Sequence, residues 1–429
     1  MLTTIIVLAL FVFLLILGLP IAFVFFASGL IGISLTQGFA SGSALMGISP
    51  FVETANYVLV AIPLFILMGQ FIFYSGLSKD LYETAYKWLG RFLGGLAQAT
   101  ITSCAFFAAC TGSSMASVGT IGPIALKEME RFNYKSSLVY GSIASAGSLG
   151  ILIPPSIAFI VYGYICEVPI GELFIAGILP GTMLAIFLIV TAYIICLKHP
   201  SWGPRGPKYS WNARLRGLTG ILWSIILFIV ILGGIYKGIF TPTEAGGIGA
   251  FVVFVFLLLQ RRMTWKVFIS SVSDTARTSC MIFTIFIGAK VFNTYIALSG
   301  IPQMAVQFVG NLPLPPVAIL MIILAAYVPL GCFIDSLPLF VLTLPVVYPV
   351  TQQLGIDPLW FGVLVTLVAQ ISLITPPVGM NVYVLSGVTG RPVDEVFRGS
   401  FVFLIPMVAA LIVLILAPQI SLLLPGFMR

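Results

Sequence analysis

Charged residues are scarce in this sequence of 429 residues: Asp, Glu, Lys and Arg make up 8% of it, whereas apolar residues make up 60%. The mean hydropathy is +1.15. A typical soluble domain carries about 25% charged residues. The composition therefore excludes a water-soluble fold with one buried core, and it predicts a chain that lies in a lipid bilayer.

The sequence has a single histidine, and its cysteines form no pattern. The only histidine, His199, lies in a polar loop, and the six cysteines occur singly in apolar stretches. Their spacing fits neither a metal site nor a disulfide framework. We expect no enzyme and no cofactor, because the sequence has no nucleophile, base and metal-ligand set at suitable spacing. The net charge of +7 comes from residues that flank helices, so we expect it to set topology rather than to bind nucleic acid.

Long apolar runs predict about ten membrane-spanning helices, since roughly 20 such residues cross a hydrocarbon layer of about 30 Å. We place them near residues 3–18, 21–37, 57–75, 136–166, 173–197, 218–236, 244–260, 277–298, 359–386 and 400–424. Two further apolar stretches, 92–127 and 312–349, are interrupted midway by polar or small residues. We predict that each is a re-entrant hairpin, because backbone can turn at membrane depth where protein or a water-filled cavity surrounds it.

The basic residues predict the orientation. If the N-terminus lies outside and both hairpins re-enter, all but three of the 20 Lys and Arg lie inside. The exceptions are Lys237 and Arg429, which lie outside, and Lys290, which lies within a helix. This asymmetry follows the positive-inside rule. The amphipathic segment 79–91 carries both charge signs and is predicted to lie along the inner interface.

Two halves of the sequence match at a nearly constant spacing. Two pairs of segments have the same spacing along the chain. The first pair is Pro154-Pro155 and Pro376-Pro377, and the second is Ser113-Ser114 and Asp335-Ser336. Four predicted crossings separate the two Pro-Pro helices, and an even number makes them run in opposite directions. The sequence thus predicts an all-α polytopic membrane protein with an inverted repeat, two re-entrant hairpins and two Pro-Pro-broken helices. That architecture is typical of secondary transporters, which bind substrate and coupling ions near the bilayer midplane.

The Pro-Pro pairs would expose backbone groups inside the membrane. Proline removes the backbone donor and breaks the helical hydrogen-bond ladder, so carbonyls at 150–153 and 373–375 are expected to need cations or polar partners. A new half-helix then begins near Ser156 and near Val378, and its amides offer partial positive charge to an anion. Each broken helix could therefore hold a cation with its first half and a carboxylate with its second.

The hairpin tips supply oxygen atoms for such a cation. They contain Gly112, Ser113 and Ser114 in the first hairpin and Asp335 and Ser336 in the second. An acid at membrane depth is costly and indicates a functional site. The alternatives are a helix cap or a salt bridge for Asp335, and helix capping or close packing for the serines.

Other small and polar residues lie next to the breaks. The small-residue face 141–148 could pack against a hairpin or supply ligands. Ser156 and Asn381 are predicted to contact a bound solute. Lys290 could pair with a substrate carboxylate, pair with an acid of the chain, or extend its ammonium group towards the membrane interface.

At these residues the chain resembles the large membrane subunit of tripartite ATP-independent periplasmic (TRAP) transporters, the DctM-like family, over nearly its whole length. The resemblance depends on six segments together: Gly112-Ser113-Ser114-Met115-Ala116, Ile153-Pro154-Pro155-Ser156-Ile157, Phe240-Thr241-Pro242-Thr243-Glu244-Ala245, Gly331-Cys332-Phe333-Ile334-Asp335-Ser336, Leu354-Gly355-Ile356-Asp357-Pro358 and Leu373-Ile374-Thr375-Pro376-Pro377-Val378-Gly379.

The resemblance implies an elevator-type carrier of the bacterial inner membrane that takes up an organic acid, such as sialic acid or a C4-dicarboxylate, with sodium as the coupling ion. It implies two partners, a small four-helix membrane subunit and a periplasmic solute-binding protein. The N-terminus would be periplasmic and the main basic loops cytoplasmic. Sodium ligands are implied where each hairpin tip meets its broken helix: Gly112, Ser113, Ser114, Gly147 and Gly150 in one half, and Asp335, Ser336, Thr375 and Gly379 in the other.

Five regions follow from this interpretation: scaffold helices and an interfacial arm at 1–91, a first transport half at 92–197, a cytoplasmic loop at 198–217, further scaffold helices and a second arm at 218–311, and a second transport half at 312–429. The alternative function is a stand-alone sodium/carboxylate symporter of similar architecture, which would need no binding protein.

Overall fold

The computed structural model describes residues 2–428, apart from the side chains at 219 and 220. In this range the chain forms α-helices and two short 3₁₀ turns, Leu149–Ile151 and Pro200–Trp202, and no strand. The helices are α1 (Leu2–Ile16), α2 (Ile21–Gln37), α3 (Phe39–Thr54), α4 (Ala61–Tyr74), α5 (Leu77–Leu89), α6 (Gly95–Thr111), α7 (Ser114–Arg131), α8 (Ser136–Ser148), α9 (Ile157–Cys166), α10 (Ile170–Lys198), α11 (Trp211–Gly217), α12 (Thr219–Tyr236), α13 (Pro242–Leu259), α14 (Trp265–Leu298), α15 (Ile301–Gly310), α16 (Pro316–Phe333), α17 (Ser336–Gln353), α18 (Pro358–Ser372), α19 (Met380–Thr389), α20 (Val393–Leu416) and α21 (Gln419–Gly426).

Five of the described helices are long and apolar enough to cross a bilayer, as judged by length and composition: α10, α13, α14, α16 and α20. The number rises to seven if the bent pairs α4–α5 and α11–α12 each count as one span. Other predicted spans are apolar but shorter, including α1, α2, α9 and α18. Helix α16, half of the second predicted hairpin, has the length of a crossing. The ten crossings and the re-entrant hairpins therefore stay predictions.

The helix bounds repeat along the chain. Helices α7 and α17 have the same length, and the spacing between them equals the spacing between the two Pro-Pro pairs. Helices α9 and α19 also have the same length, and their spacing is longer by one residue. Glycines with left-handed backbone occur at matching turns: Gly76, with φ of 75°, precedes α5, and Gly300, also with φ of 75°, precedes α15. These two glycines start the predicted arms, and α5 is bent by 68° from α4. The repeat seen in the sequence is thus a repeat of helices.

The two halves meet through equivalent positions. The side-chain amide of Gln370 on α18 donates a hydrogen bond of 3.0 Å to the Ser148 hydroxyl at the end of α8, and these two positions have the same spacing as the two Pro-Pro pairs. Both are fully buried. Equivalent positions of a repeat touch only near the axis that relates its halves. This hydrogen bond therefore joins α8 and α18, the helices that lead into the two breaks, near that axis.

Several helix bounds differ from the predicted spans. Residues 39–54 form α3, which the sequence did not indicate because glycine, serine and Pro50 lower its helix propensity. Helix α14 begins at Trp265, not at 277, since its first three turns are polar and amphipathic rather than apolar. The predicted loop 198–217 contains α11, and the predicted span 400–424 is two helices, α20 and α21. The hairpin helices extend beyond the predicted ends, to Arg131 and Gln353. The prediction for Arg429 lies outside the described residues.

Close packing of α8 on α20 depends on two glycines. A Cβ atom at Gly141 would lie 2.2 Å from the carbonyl oxygen of Gly399. We expect Gly141→Ala to force the helices apart and to lower the free energy of unfolding by about 1–3 kcal/mol, the usual cost of overpacking. The measurement is the thermal unfolding midpoint of the purified protein.

The matched control is Gly119→Ala on α7, where no atom lies within 4 Å of the new methyl group. This change should leave the midpoint unchanged or raise it slightly, because alanine favours the helix. Equal effects of the two substitutions would contradict the close approach of α8 and α20.

Candidate functional site

The first hairpin turns at Gly112 and Ser113. Gly112 has a left-handed backbone, with φ of 61°, which ends α6. Ser113 is extended, and its hydroxyl accepts a hydrogen bond of 3.3 Å from the Ala116 amide, so it caps α7. The capping role that the sequence left open for Ser113 is therefore present. A hydroxyl oxygen has two lone pairs, so the cap leaves one of them for another partner.

This tip lies directly against the first broken helix. A Cβ atom at Gly112 would lie 2.5 Å from the Pro155 carbonyl oxygen, and one at Gly150 would lie 2.5 Å from the Ser113 carbonyl oxygen. Only glycine lets the two backbones approach this closely. Gly147 has a different neighbour: its Cβ would lie 2.1 Å from the Val118 side chain, so it packs α8 against α7.

The break itself leaves backbone carbonyls without donors. The Leu149 carbonyl accepts from the Leu152 and Ile153 amides, at 3.1 and 2.9 Å. Within residues 2–428, no hydrogen bond is directed at the carbonyls of Leu152 or Ile153, because prolines follow them. The peptide bond between the two prolines is cis here and in the second break.

The second hairpin turns at Asp335. Its Oδ1 accepts hydrogen bonds from the Ser336 amide at 2.8 Å and from the Ser336 hydroxyl at 3.3 Å, so Asp335 caps α17. No ion pair involves Asp335 in the described part of the chain. The salt-bridge alternative is thus absent here, and the carboxylate charge has no protein counter-ion.

The second tip also lies against its broken helix. The Gly379 amide donates a hydrogen bond of 3.3 Å to the Cys332 carbonyl. Gly379 has a left-handed backbone, with φ of 56°, and a Cβ there would lie 3.1 Å from the Thr375 carbonyl oxygen and 3.3 Å from that of Leu373. Two carbonyl oxygens therefore converge on this glycine. The Thr375 hydroxyl donates to the Ile371 carbonyl at 2.8 Å and keeps its own oxygen as an acceptor.

Both tips open on one cavity of about 100 Å³. Residues 112–115 line it from the first hairpin, residues 335–337 from the second, and Ile157 and Ala158 from the start of α9. Thr278, Met281 and Ile282 of α14 close it from the predicted scaffold. The first turns of α7, α9 and α17 thus face the same space. The amides of these first turns carry partial positive charge, and the Asp335 carboxylate lies in the same space.

Ser156 and Asn381 are not brought to the cavity. The Ser156 hydroxyl donates to the Ile151 carbonyl at 2.5 Å and accepts from the Phe159 amide at 3.4 Å, so it caps α9. The Asn381 side-chain amide donates to the Ala144 carbonyl at 3.3 Å. Both residues are fully buried. Their contact with a solute stays a prediction, and in this conformation they hold the half-helices in place.

The sequence missed three groups near the site. Gln370 joins the two halves, although a single glutamine in an apolar run was a visible signal. Thr278 reaches the cavity from a helix that the sequence assigned to the scaffold. Glu53, on the unpredicted helix α3, accepts a hydrogen bond from Tyr164 and lies 4.0 Å from Lys290. Three roles were considered for Lys290, and in the structure it lies next to an acid of the chain, which is one of them.

The fold has a solved counterpart among membrane transporters. The chain is similar to the crystal structure of the Alcanivorax borkumensis YdaH transporter, with a TM-score of 0.57, 12% sequence identity, and coverage of 91% of this chain and 89% of that one. At this identity the similarity concerns the fold alone. Together with the long apolar helices, it defines the class: an all-helical, multi-pass membrane protein.

The sequence comparisons give the family. A family model described as the DctM component of the tripartite ATP-independent periplasmic transporter matches residues 8–420. The chain is 35% identical over 384 residues to the C4-dicarboxylate TRAP transporter large permease protein DctM of Pseudomonas aeruginosa, covering 89% of this chain and 90% of that protein. It is 32% identical to the sialic acid large permease SiaM of Vibrio cholerae, covering 95% of both chains. It is also 32% identical to the ectoine/5-hydroxyectoine large permease UehC of Ruegeria pomeroyi, again covering 95% of both.

This chain belongs to the DctM family and is a TRAP transporter large permease subunit. It is a transport protein and not an enzyme, as the sequence predicted. Among residues 2–428, no group of three or more His, Cys, Asp or Glu is placed to hold a metal ion. The oxygen-lined tips are of another kind, since they combine hydroxyl and carbonyl groups with a single carboxylate.

The first tip can be tested separately from the second. Gly150→Ala should push the Ser113 carbonyl away and disable an ion site at the first tip, while the Asp335 tip stays intact. If sodium binds at both tips, its binding should raise the unfolding midpoint, and we expect Gly150→Ala to make this rise smaller without abolishing it, because ligand bound at the intact second site still stabilises the fold. Gly247→Ala on α13, whose new methyl group would have its nearest neighbour at 3.8 Å, is the control. A full sodium response in Gly150→Ala would remove Gly150 from the site.

Proposed function

We propose that this subunit imports an organic acid together with sodium, as the membrane carrier of a TRAP system. The observation that supports this most is the shared cavity, on which both hairpin tips and the first turns of three helices converge. Oxygen ligands at the tips suit a hard cation, and helix N-termini suit an anion. One space can therefore bind the ion and the solute next to each other.

The stronger proposed sodium site lies at the second tip. Asp335 supplies the only carboxylate among the cavity residues, Ser336 a hydroxyl, and the carbonyls of Leu373 and Thr375 converge on Gly379 nearby. A carboxylate without a counter-ion is costly at membrane depth. Sodium binding would neutralise it, so this site is expected to be occupied before the solute arrives.

The other proposed sodium site uses neutral oxygens. Gly112, Ser113 and Ser114 form its tip, and Gly150 lets the first broken helix approach. The Ser113 carbonyl accepts hydrogen bonds from the Ser117 amide at 3.2 Å and from the Ser117 hydroxyl at 2.9 Å, so it is already partly used. Without a carboxylate, this site should bind sodium more weakly than the Asp335 site does.

The solute should present an acidic group to the helix N-termini. The relatives are named for C4-dicarboxylate, sialic acid, ectoine, 2,3-diketo-L-gulonate and isethionate, and each of these solutes carries a carboxylate or a sulfonate. We propose the same class for this chain. The backbone amides would bind the acidic group of the solute. Side chains such as Thr278 and Met281 would contact the remainder of the solute.

Movement of the site across the membrane is proposed to follow the elevator scheme. Helices α1–α5 and α12–α15 would form the fixed scaffold, and the hairpins with α8–α10 and α18–α21 would move against it. The hairpins would re-enter from opposite sides, with a periplasmic N-terminus and cytoplasmic basic loops in the bacterial inner membrane. A small membrane subunit would bind the scaffold, and a periplasmic binding protein would deliver the solute.

The test is uptake by the complex in proteoliposomes with its small subunit and its binding protein, for a panel of organic acids, with and without a sodium gradient. We expect uptake of one acid to require sodium and the binding protein. Transport by this chain alone would favour the stand-alone symporter, and uptake that ignores sodium would contradict the proposal.

The residue-level test is Asp335→Asn, which keeps the helix cap but removes the charge. The sodium concentration for half-maximal uptake should rise at least about tenfold, because losing an ionic ligand weakens binding by more than about 1.4 kcal/mol. Asp335→Ala should abolish sodium stimulation. Asp357→Asn is the matched control, since Asp357 also caps a helix, through hydrogen bonds from Leu359 and Trp360, but lies outside the cavity. An unchanged sodium dependence in Asp335→Asn would exclude Asp335 as a ligand.

A further inference from the structure

Glu53 is a buried acid that the ion sites do not use. Its side chain is 2% exposed and lies near the end of α3. The Tyr164 hydroxyl donates a hydrogen bond of 2.8 Å to its Oε2 atom. Lys290 Nζ is 4.0 Å from Oε1, and Oε1 has no hydrogen-bond partner in the described part of the chain. The carboxylate thus has one tight partner and one distant partner.

The two partners belong to different parts of the molecule. Lys290 is on α14 and Glu53 on α3, both in the proposed scaffold. Tyr164 is on α9, the half-helix that follows the first break, so the Glu53–Tyr164 hydrogen bond crosses from the scaffold to the part that is proposed to move. The Tyr164 ring also packs edge-on against Phe286 of α14, with ring centroids 5.6 Å apart.

A single face of α14 carries these contacts. Positions 278, 282, 286, 290 and 293 are spaced by four, four, four and three residues, which puts them on one side of a helix. Thr278 and Ile282 line the ion cavity, and the Asn293 side-chain amide donates to the Val341 carbonyl of α17 at 3.2 Å. This face of α14 is therefore the surface on which the transport halves rest.

We propose that Glu53 is a positioning residue that exchanges Tyr164 for Lys290 when the transport halves move along α14. The proposal rests on the elevator motion described above. Once α9 leaves, the carboxylate loses its hydrogen bond and is left buried and charged, which is costly. The Lys290 side chain is 46% exposed, and its ammonium group can move from 4.0 Å to hydrogen-bond distance of the Glu53 carboxylate.

This exchange would balance the two end states. The Tyr164 hydrogen bond stabilises the conformation described here, and the Lys290 ion pair stabilises the other. Neither state then traps the carrier, and the buried acid always has a partner. Removing Tyr164 or Lys290 should therefore shift the equilibrium in opposite directions, which a purely structural role for the cluster would not do.

The populations can be measured by pulsed electron paramagnetic resonance on the complete complex. Spin labels at Ile5→Cys and Ile405→Cys, both on exposed positions, report the distance between α1 and α20. The background is Cys280→Ser, which removes the one exposed native cysteine among the described residues. Wild type should give two distances whose ratio changes with sodium and solute.

Tyr164→Phe should shift that ratio about tenfold away from the present conformation, the change expected for one charge-assisted hydrogen bond. Glu53→Gln should shift the ratio less, because it weakens the Tyr164 hydrogen bond of one state and removes the Lys290 ion pair of the other. In the Glu53→Gln background, Tyr164→Phe should have a smaller effect than it has alone, because the two residues share one interaction. Lys290→Met should shift it towards the present conformation and slow uptake. Tyr162→Phe is the matched control: its hydroxyl bonds the Pro358 carbonyl at 2.7 Å within the transport halves, so the ratio should stay within about twofold.

The results separate this proposal from the transport mechanism. Two wild-type distances with unchanged ratios in Tyr164→Phe and Lys290→Met would overturn the partner exchange and leave the elevator motion standing. Shifts of the same sign in both variants would overturn it as well. A single wild-type distance under all conditions would overturn both the exchange and the motion.

Discussion

A helix that stops inside a bilayer leaves backbone groups that no water can satisfy, and the rest of this structure is arranged around that constraint. Each Pro-Pro pair interrupts a helix. The Leu152 and Ile153 carbonyls before the first pair have no donor in the described part of the chain, whereas the Leu373 carbonyl before the second pair accepts from the Asn381 amide at 3.0 Å. A hairpin tip packs against each break. At the first break the two backbones are so close that Gly112 and Gly150 tolerate no side chain. The tips bring oxygens and helix N-termini together, and this polar space is the basis of the proposed ion and solute binding.

The two halves have the same backbone arrangement but different side-chain chemistry. The tips occupy equivalent positions of the repeat, yet Ser113-Ser114 in one corresponds to Asp335-Ser336 in the other. At the start of the second half-helices, Ser156 caps α9 through its hydroxyl, whereas Gly379 precedes α19 and lets two carbonyls converge. The second junction thus carries a formal charge and the first does not. The two proposed ion sites should therefore differ in strength.

How far the sequence could predict this arrangement depends on how local each signal is. Pro-Pro pairs, hairpin tips and left-handed glycines are encoded within a few residues, and the constant spacing of the Pro-Pro pairs and tips indicates the repeat. The contact of Ser148 with Gln370, the approach of Thr278 to the cavity and the Glu53–Tyr164 hydrogen bond join residues that are far apart in the sequence. Packing alone creates them. Ser156 shows the opposite case: its position was predicted, but local capping uses the hydroxyl that was assigned to a solute.

The central claim is that two tip-and-break junctions act as two sodium sites for one solute. The most direct test is the ratio of sodium to solute carried by the complete complex in proteoliposomes, obtained from the membrane potential that just balances a known sodium gradient and solute gradient. Two proposed sites predict a ratio of at least about two, because each occupied junction contributes one ion. A ratio of one would leave a single functional junction, and a solute flux that does not respond to the sodium gradient would contradict the account.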